Sequence, residues 1–258
     1  IDLLVERVVA PLGLRADRTS PVVDARLPDG SRVHVVLPPL AIDGPTVTIR
    51  RFGATAVPLE AFCEPTVADL LVNAVGSGLN MVVCGGTGAG KTTLLNALCA
   101  HLPAGERVVT VEDAAELRLP GDHVVRLETR PASPDGLPGI GVRDLVRAAL
   151  RMRPDRIIVG EVRGAEALDM LQAMNTGHGG CLSTCHANGP TDAIRRIETM
   201  ALLGGAEVPL DAVRAQILGA VDLVVYVVRA GAGAARRIDM VAEVVAGPDD
   251  VVTTRPLT

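Results

Sequence analysis

Four short stretches of this chain carry residue types whose spacing suits work on a phosphate. The first is VVCGGTGAGKTTLLNAL at residues 82–98, which contains Gly85-x-x-x-x-Gly90-Lys91-Thr92, the phosphate-binding loop pattern. Glycines let successive backbone N–H groups curl around an anion. A helix that begins there adds the positive end of its dipole. Lys91 can reach the β- and γ-phosphates, the Thr92 hydroxyl can ligate Mg2+, and Thr93 can add a hydroxyl near the α-phosphate. Gly85, Gly86, Thr87, Gly88, Ala89, Gly90, Lys91, Thr92 and Thr93 are therefore the expected nucleotide-binding set.

The second stretch, VVTVEDAAEL, ends a strand in Glu112 and Asp113 and places Glu116 one helical turn later. A phosphoryl-transfer site needs a positioned base, and Glu112 or Glu116 can polarise the attacking water. Acids after a strand also cap the next helix. In the third, RPDRIIVGEVRG, an apolar strand delivers Glu161 where an acid would hold Mg2+ through water. The fourth, TGHGGCLSTCHANGP, carries His178 between glycines and His186 at a strand end. His186 can sense the γ-phosphate or serve only the structure. Arginines form a fifth feature. Arg143, Arg147 and Arg151 recur every four residues and share one helix flank about 80° wide. That flank reads either as a solvated face or as a contact to a neighbouring subunit's nucleotide, because guanidinium groups stabilise transferring phosphoryl charge. Arg50 and Arg51, after the last strand of the first part, and Arg130 raise the same possibility.

These residues need a frame that brings them together. Continuous Val- and Ile-rich strands alternate with helices from about residue 66 onward, which implies α/β architecture with a mostly parallel sheet covered on both faces. Ligands then lie beyond the carboxyl ends of the strands. Four strands are expected to end at Gly85, Glu112, Glu161 and His186. A helix over Thr66 to Val75 carries a capping-box pattern of Thr66 and Asp69, and Thr191 is placed to cap a later helix. RRIDMVAEVV and VVTTRPL read as terminal antiparallel strands. The first part is a small α+β unit: a helix over residues 1–10, a hairpin around Pro28-Asp29-Gly30, and a third strand PTVTIRRF. The expected domains are 1–53, a linker over 54–66, and 67–258.

Composition narrows the function classes. Hydrophobic residues make up 48% of 258 residues and aromatics 1%, so aliphatic side chains fill the core and base-stacking platforms are absent. With a net charge of −5, no general field attracts nucleic acid, and none is expected as a direct partner. Cys63, Cys84, Cys99, Cys181 and Cys185 read as reduced thiols. CLSTCHA reads as a buried strand rather than a zinc site. No apolar run reaches the roughly 18 residues of a membrane span. The chain starts inside an amphipathic pattern without Met and reads as a piece of a longer protein.

Together, GGTGAGKTT, TVEDAAELRL, RMRPDRIIVGEVRGAEALDMLQAMNTGHGG and STCHAN resemble the Walker A, Asp box, Walker B and His box of the type II/IV secretion ATPases. The upstream SPVVDARLPDGSRVHVVLPPLAIDGPTVTIRRF resembles the CpaF-like branch, which serves tight-adherence (Flp, type IVb) pili. The resemblance implies a RecA-like P-loop core preceded by a small N-terminal domain. It implies Mg2+-dependent ATP hydrolysis, a cytoplasmic homo-hexameric ring at the inner face of the membrane, and a membrane platform protein as partner. It places Lys91 and residues 85–93 on phosphate and Mg2+, Glu112 or Glu116 as base, Glu161 as the Walker B acid, and His178 and His186 in the His box. Arg50, Arg51, Arg130 and Arg143 become candidate nucleotide contacts. A DNA translocase of conjugation on the same core is the alternative.

Overall fold

The computed structural model describes residues 2–12, 14–51, 57–132, 136–204, 208–229, 231, 235–248 and 251–258. They divide into two compact units, Ile1–Thr55 and Ala56–Thr258. In the first, α1 (Asp2–Val9) runs on into a short 3-10 turn, and β1 (Val22–Arg26), β2 (Arg32–Val36) and β3 (Thr46–Arg50) form an antiparallel sheet. The expected hairpin is present, with Val22 opposite Val36 and Gly30 at φ 87° in the turn. Alternation along the strands buries Val23, Val33 and Val35 in one cluster with Val5 and Val9 of α1.

The second unit contains α2 (Pro65–Gly76), β4 (Met81–Gly85), α3 (Lys91–Cys99), β5 (Val108–Glu112), β6 (Val124–Glu128), α4 (Val142–Ala149) and β7 (Arg156–Val162). Then come α5 (Glu166–Asn175), β8 (Leu182–His186), α6 (Pro190–Leu203), α7 (Leu210–Ala220), β9 (Leu223–Arg229), β10 (Arg236–Ala246) and β11 (Val252–Pro256). The strands form one sheet in the order β11-β10-β9-β4-β8-β7-β5-β6. Every pair from β9 to β6 is parallel, and β10 and β11 add antiparallel edges. Successive residues of β4 serve opposite faces. Val82 and Cys84 join the core beneath α4, α5, α6 and α7, while Met81 and Val83 join the core beneath α2 and α3. A sheet buried on both faces explains the unbroken apolar strands. The architecture is the RecA-like P-loop core expected from the sequence, preceded by a small α+β unit.

Two helix caps differ from expectation, and the span read as linker is packed in part. Residues 54–56 lie outside the described residues, but Leu59 and Phe62, also within the span read as linker, are buried against Leu71 and Leu95. An apolar pair in an aperiodic stretch can still dock when its neighbours make a 3-10 turn, here Leu59–Ala61. The Thr66–Asp69 capping box does not form, because α2 starts one residue earlier, with Pro65 in its first turn and Glu64 at the cap. Thr191 likewise lies inside α6, behind Pro190, and its hydroxyl bonds that of Thr254 on β11 at 2.8 Å.

Asn80 pins the amino-terminal edge of the sheet. Its side chain donates to the Ala220 carbonyl at 2.7 Å and accepts the Cys181 N–H at 2.9 Å. The residue is buried, so truncation strands both partners without water. Asn80→Ala is expected to lower unfolding free energy by about 2–4 kcal/mol, measured by urea denaturation. An unchanged midpoint would show that the clamp contributes nothing.

Candidate active site

The four motif strands are neighbours in space in the order β4-β8-β7-β5. Their carboxyl ends therefore bring Gly85, His186, Glu161 and Glu112 to one edge. From β4 the chain leaves through a loop in which Gly88 and Gly90 take φ of 72° and 100°, values that favour glycine. Gly90 is the cap of α3, so Lys91, Thr92 and Thr93 form its first turn. Free N–H groups at that turn point into the loop. Gly85 is held to glycine by space, since a Cβ there would stand 2.4 Å from the Val227 carbonyl oxygen.

Lys91 is buried, with 8% of its surface exposed. Its ammonium donates to the carbonyls of Gly85 and Gly86, each at 3.2 Å, and lies 3.9 Å from the Glu161 carboxylate. Burial pulls its pKa below the usual lysine value, and the Glu161 charge opposes that shift. Glu161 falls where the β7–β8 register slips between Val159 and Val162; such an irregularity re-aims a side chain. One Glu161 oxygen meets Nδ1 of His186, and the other accepts from Arg163, whose Nε is 2.7 Å away. On the other side of the ring, Nε2 lies 3.3 Å from the Thr87 hydroxyl, within hydrogen-bond distance. His186 thus links Glu161 to the loop at residues 85–93.

Glu112 and Glu116 occupy different environments. Glu112 is 3% exposed, and its Oε2 accepts the N–H groups of Glu116 at 2.7 Å and Leu117 at 2.9 Å. Burial raises its pKa, and those two hydrogen bonds oppose the rise. A Cβ on Gly160 would lie 2.9 Å from Cγ of Glu112, so the glycine before Glu161 makes room for the Asp box. Glu116 is half-buried at the end of the loop that Glu112 holds.

Other expected site residues lie elsewhere. His178 precedes β8, beside the turn before β4, where Gly179 approaches the Gly78 carbonyl. This is the amino-terminal edge of the parallel sheet, so within this chain His178 does not join His186 and the loop. Closeness in sequence to the rest of the His box is misleading here, because a five-residue strand separates its two ends by roughly 17 Å. Arg143 and Arg147 do share a flank of α4, but both bond the buried Asp169 on α5 at 2.7 Å. Arg143 also donates to the Gly204 carbonyl at 3.1 Å. That pair clamps α4 to α5. Arg130 donates to the Pro138 carbonyl at 3.0 Å. Arg50 and Arg51 are exposed in the first unit. Arg163 is outside the expected set of site residues, yet it bridges Glu161 and Asp113, 3.3 Å from the latter.

Fold and loop together define a RecA-like P-loop ATPase. The family model for type II/IV secretion system proteins matches residues 3–244. A Mycobacterium tuberculosis protein provisionally named for conjugal transfer is 43% identical over 244 residues, covering 90% of this chain and 69% of that one. The type IV secretion system protein PtlH of Bordetella pertussis is 37% identical, covering 84% of this chain and 73% of its own. The crystal structure of the VirB11 ATPase from the Brucella suis type IV secretion system is similar at a TM-score of 0.62 and 30% identity, covering 93% of this chain and 79% of that one. The chain belongs to the type II/IV secretion system protein family, and it is an ATPase of that family.

The buried Glu112 carboxyl makes stability depend on pH. A pKa raised in the native state means that the folded chain binds the proton more tightly, so the contribution is lost as pH climbs from the ordinary value near 4.5 through the raised one. Glu112→Gln removes this term. Relative to the variant, the parent is expected to lose stability as pH rises above the ordinary carboxylate value in denaturant titrations. Parallel curves would contradict it.

Proposed function

We propose that this ATPase is a Mg2+-dependent motor that powers pilus assembly or protein secretion through a membrane platform protein. The observation that carries the reading is the buried Lys91 at the head of α3, held among loop carbonyls and the Glu161 carboxylate. A lysine placed so can exchange those partners for β- and γ-phosphate oxygens. Residues 85–93 supply N–H and hydroxyl donors to the rest of the polyphosphate. Thr92 and Glu161 are oxygen donors of the kind Mg2+ takes, one or two from protein, the remainder from phosphate and water. When bound, Mg2+ neutralises charge on the β- and γ-phosphate oxygens.

In the reaction we assign, the oxygen of a water attacks the γ-phosphorus. The bond to the β–γ bridging oxygen breaks, and ADP leaves with that electron pair. The water's proton passes to Glu116. Glu112 is assigned a holding role, because one of its oxygens already accepts two loop N–H groups and the side chain is shielded. His186 reports the occupancy of the loop to Glu161 through Thr87. Arg50, Arg51 and Arg130 are proposed as guanidinium contacts to nucleotide in an assembled homo-hexameric ring. Arg143 serves this chain's own α4–α5 clamp. The ring is proposed to work at the cytoplasmic face of the membrane. Among the described residues no helix is long and apolar enough to cross one. The tight-adherence branch is our finer assignment, supported by the likeness of residues 20–52 to that branch.

Conjugation is the second reading, favoured by relatives named for conjugal transfer, such as TrbB of Rhizobium radiobacter at 36% identity. DNA-stimulated hydrolysis with a steep salt dependence would support it. For the motor itself, Lys91→Ala is expected to abolish phosphate release. Glu116→Gln is expected to slow turnover about 10²–10⁴-fold while retaining nucleotide affinity. Full turnover in either variant, measured by phosphate release with Mg2+, would overturn that residue's role.

A further inference from the structure

Gly90 is crowded by a residue from outside the loop. A side-chain carbon built on it would stand 2.4 Å from Cδ of Arg236 and 3.1 Å from its Nε. The aliphatic stem of Arg236 therefore crosses Gly90, the left-handed residue from which α3 departs. Topology explains the meeting. β9 runs parallel to β4, and β10 returns antiparallel beside β9, with Arg236 opposite Arg229. The first residue of β10 is thus delivered to the edge where β4 passes into the phosphate-binding loop.

Two of the cations at that edge, Lys91 and Arg163, are already committed, while Arg229 stands exposed across from Arg236. Lys91 contacts two carbonyls and Glu161, and Arg163 bridges Glu161 and Asp113. Carboxylates are plentiful there, with Glu112, Asp113, Glu116 and Glu161 on the two neighbouring motifs. A triphosphate entering this surrounding needs positive charge that is not already neutralised. Arg236 supplies it. The residue is exposed, and among the described residues its guanidinium has no carboxylate partner, whereas the next residue, Arg237, bonds Asp239 at 2.8 Å.

We propose that Arg236 is a substrate-binding residue whose guanidinium donates to phosphate oxygens of the nucleotide held by the loop. The inference rests on the phosphate-binding role assigned to residues 85–93. It deepens that role by adding a contact from a strand that none of the four motifs includes. A planar guanidinium offers paired donors that match two phosphate oxygens, and its stem already lies on the residue that caps α3. Lysine keeps the charge but not the fork.

The test is competition binding on the full chain in Mg2+, with a fluorescent ATP analogue displaced by ATP or by tripolyphosphate. Arg236→Ala is expected to weaken both competitors by the same factor, about 10- to 100-fold. Arg236→Lys should fall between, and Arg237→Ala should match the parent. Ligand-free melting temperatures of the Arg236 variants should equal the parent's. If the parent binds both and Arg236→Ala weakens neither, or weakens ATP alone, the assignment is overturned and the loop's role stands. If the parent binds neither, the loop's role fails and this inference falls with it.

Discussion

A buried ammonium among carbonyl oxygens is the interaction on which the rest of the site depends. Removing a charge from water costs several kcal/mol unless partners replace the lost solvation. Lys91 finds those partners in Gly85, Gly86 and Glu161. The first two come from the strand–loop junction immediately before α3, whereas Glu161 comes from β7, two strands away in the sheet. The full set of partners around the lysine is therefore in place only when the sheet has assembled.

The same logic extends outward. Glu161 is shared by Lys91, Arg163 and His186, so a change at any one redistributes charge over the others. His186 reaches back to Thr87, which closes a circuit from loop to strand and back to loop. On the other side, Glu112 uses its buried carboxylate to fix the backbone that carries Glu116. Two glutamates four residues apart therefore sit in different surroundings, Glu112 enclosed and Glu116 half-buried. Such a division follows from burial, since an enclosed carboxylate already bonded to N–H groups has little reach toward water.

Arginine is the residue whose role the fold redistributes most. The periodic trio on α4 invites a reading as a nucleotide-facing flank, yet Arg143 and Arg147 converge on one buried aspartate. Arg156 is buried too, donating to the Val75 carbonyl at 2.7 Å and pairing with Glu106. It also forces glycine at position 180, where a Cβ would meet its guanidinium at 2.4 Å. These arginines join layers of the fold. Arg163 and Arg236 stand at the loop, and neither belongs to a periodic pattern.

Local pattern suffices for the elements of this chain and for the loop. Unbroken apolar runs, the glycine spacing and the strand-ending acids are short-range properties, so β4, β5, β7, β8 and the residues at their ends are legible in the sequence alone. The hairpin around Asp29 and Gly30 is legible for the same reason. Caps are not, because prolines at positions 65 and 190 take the first turns that hydroxyl residues were expected to precede. Strand order is a long-range choice among sheets of equal local merit, and it alone puts His186 beside Glu161 and sends His178 to the far edge. It also brings β10 back over Gly90. Which charges are enclosed and which stay in water is decided by packing between residues far apart in the chain, and no spacing along the chain encodes that.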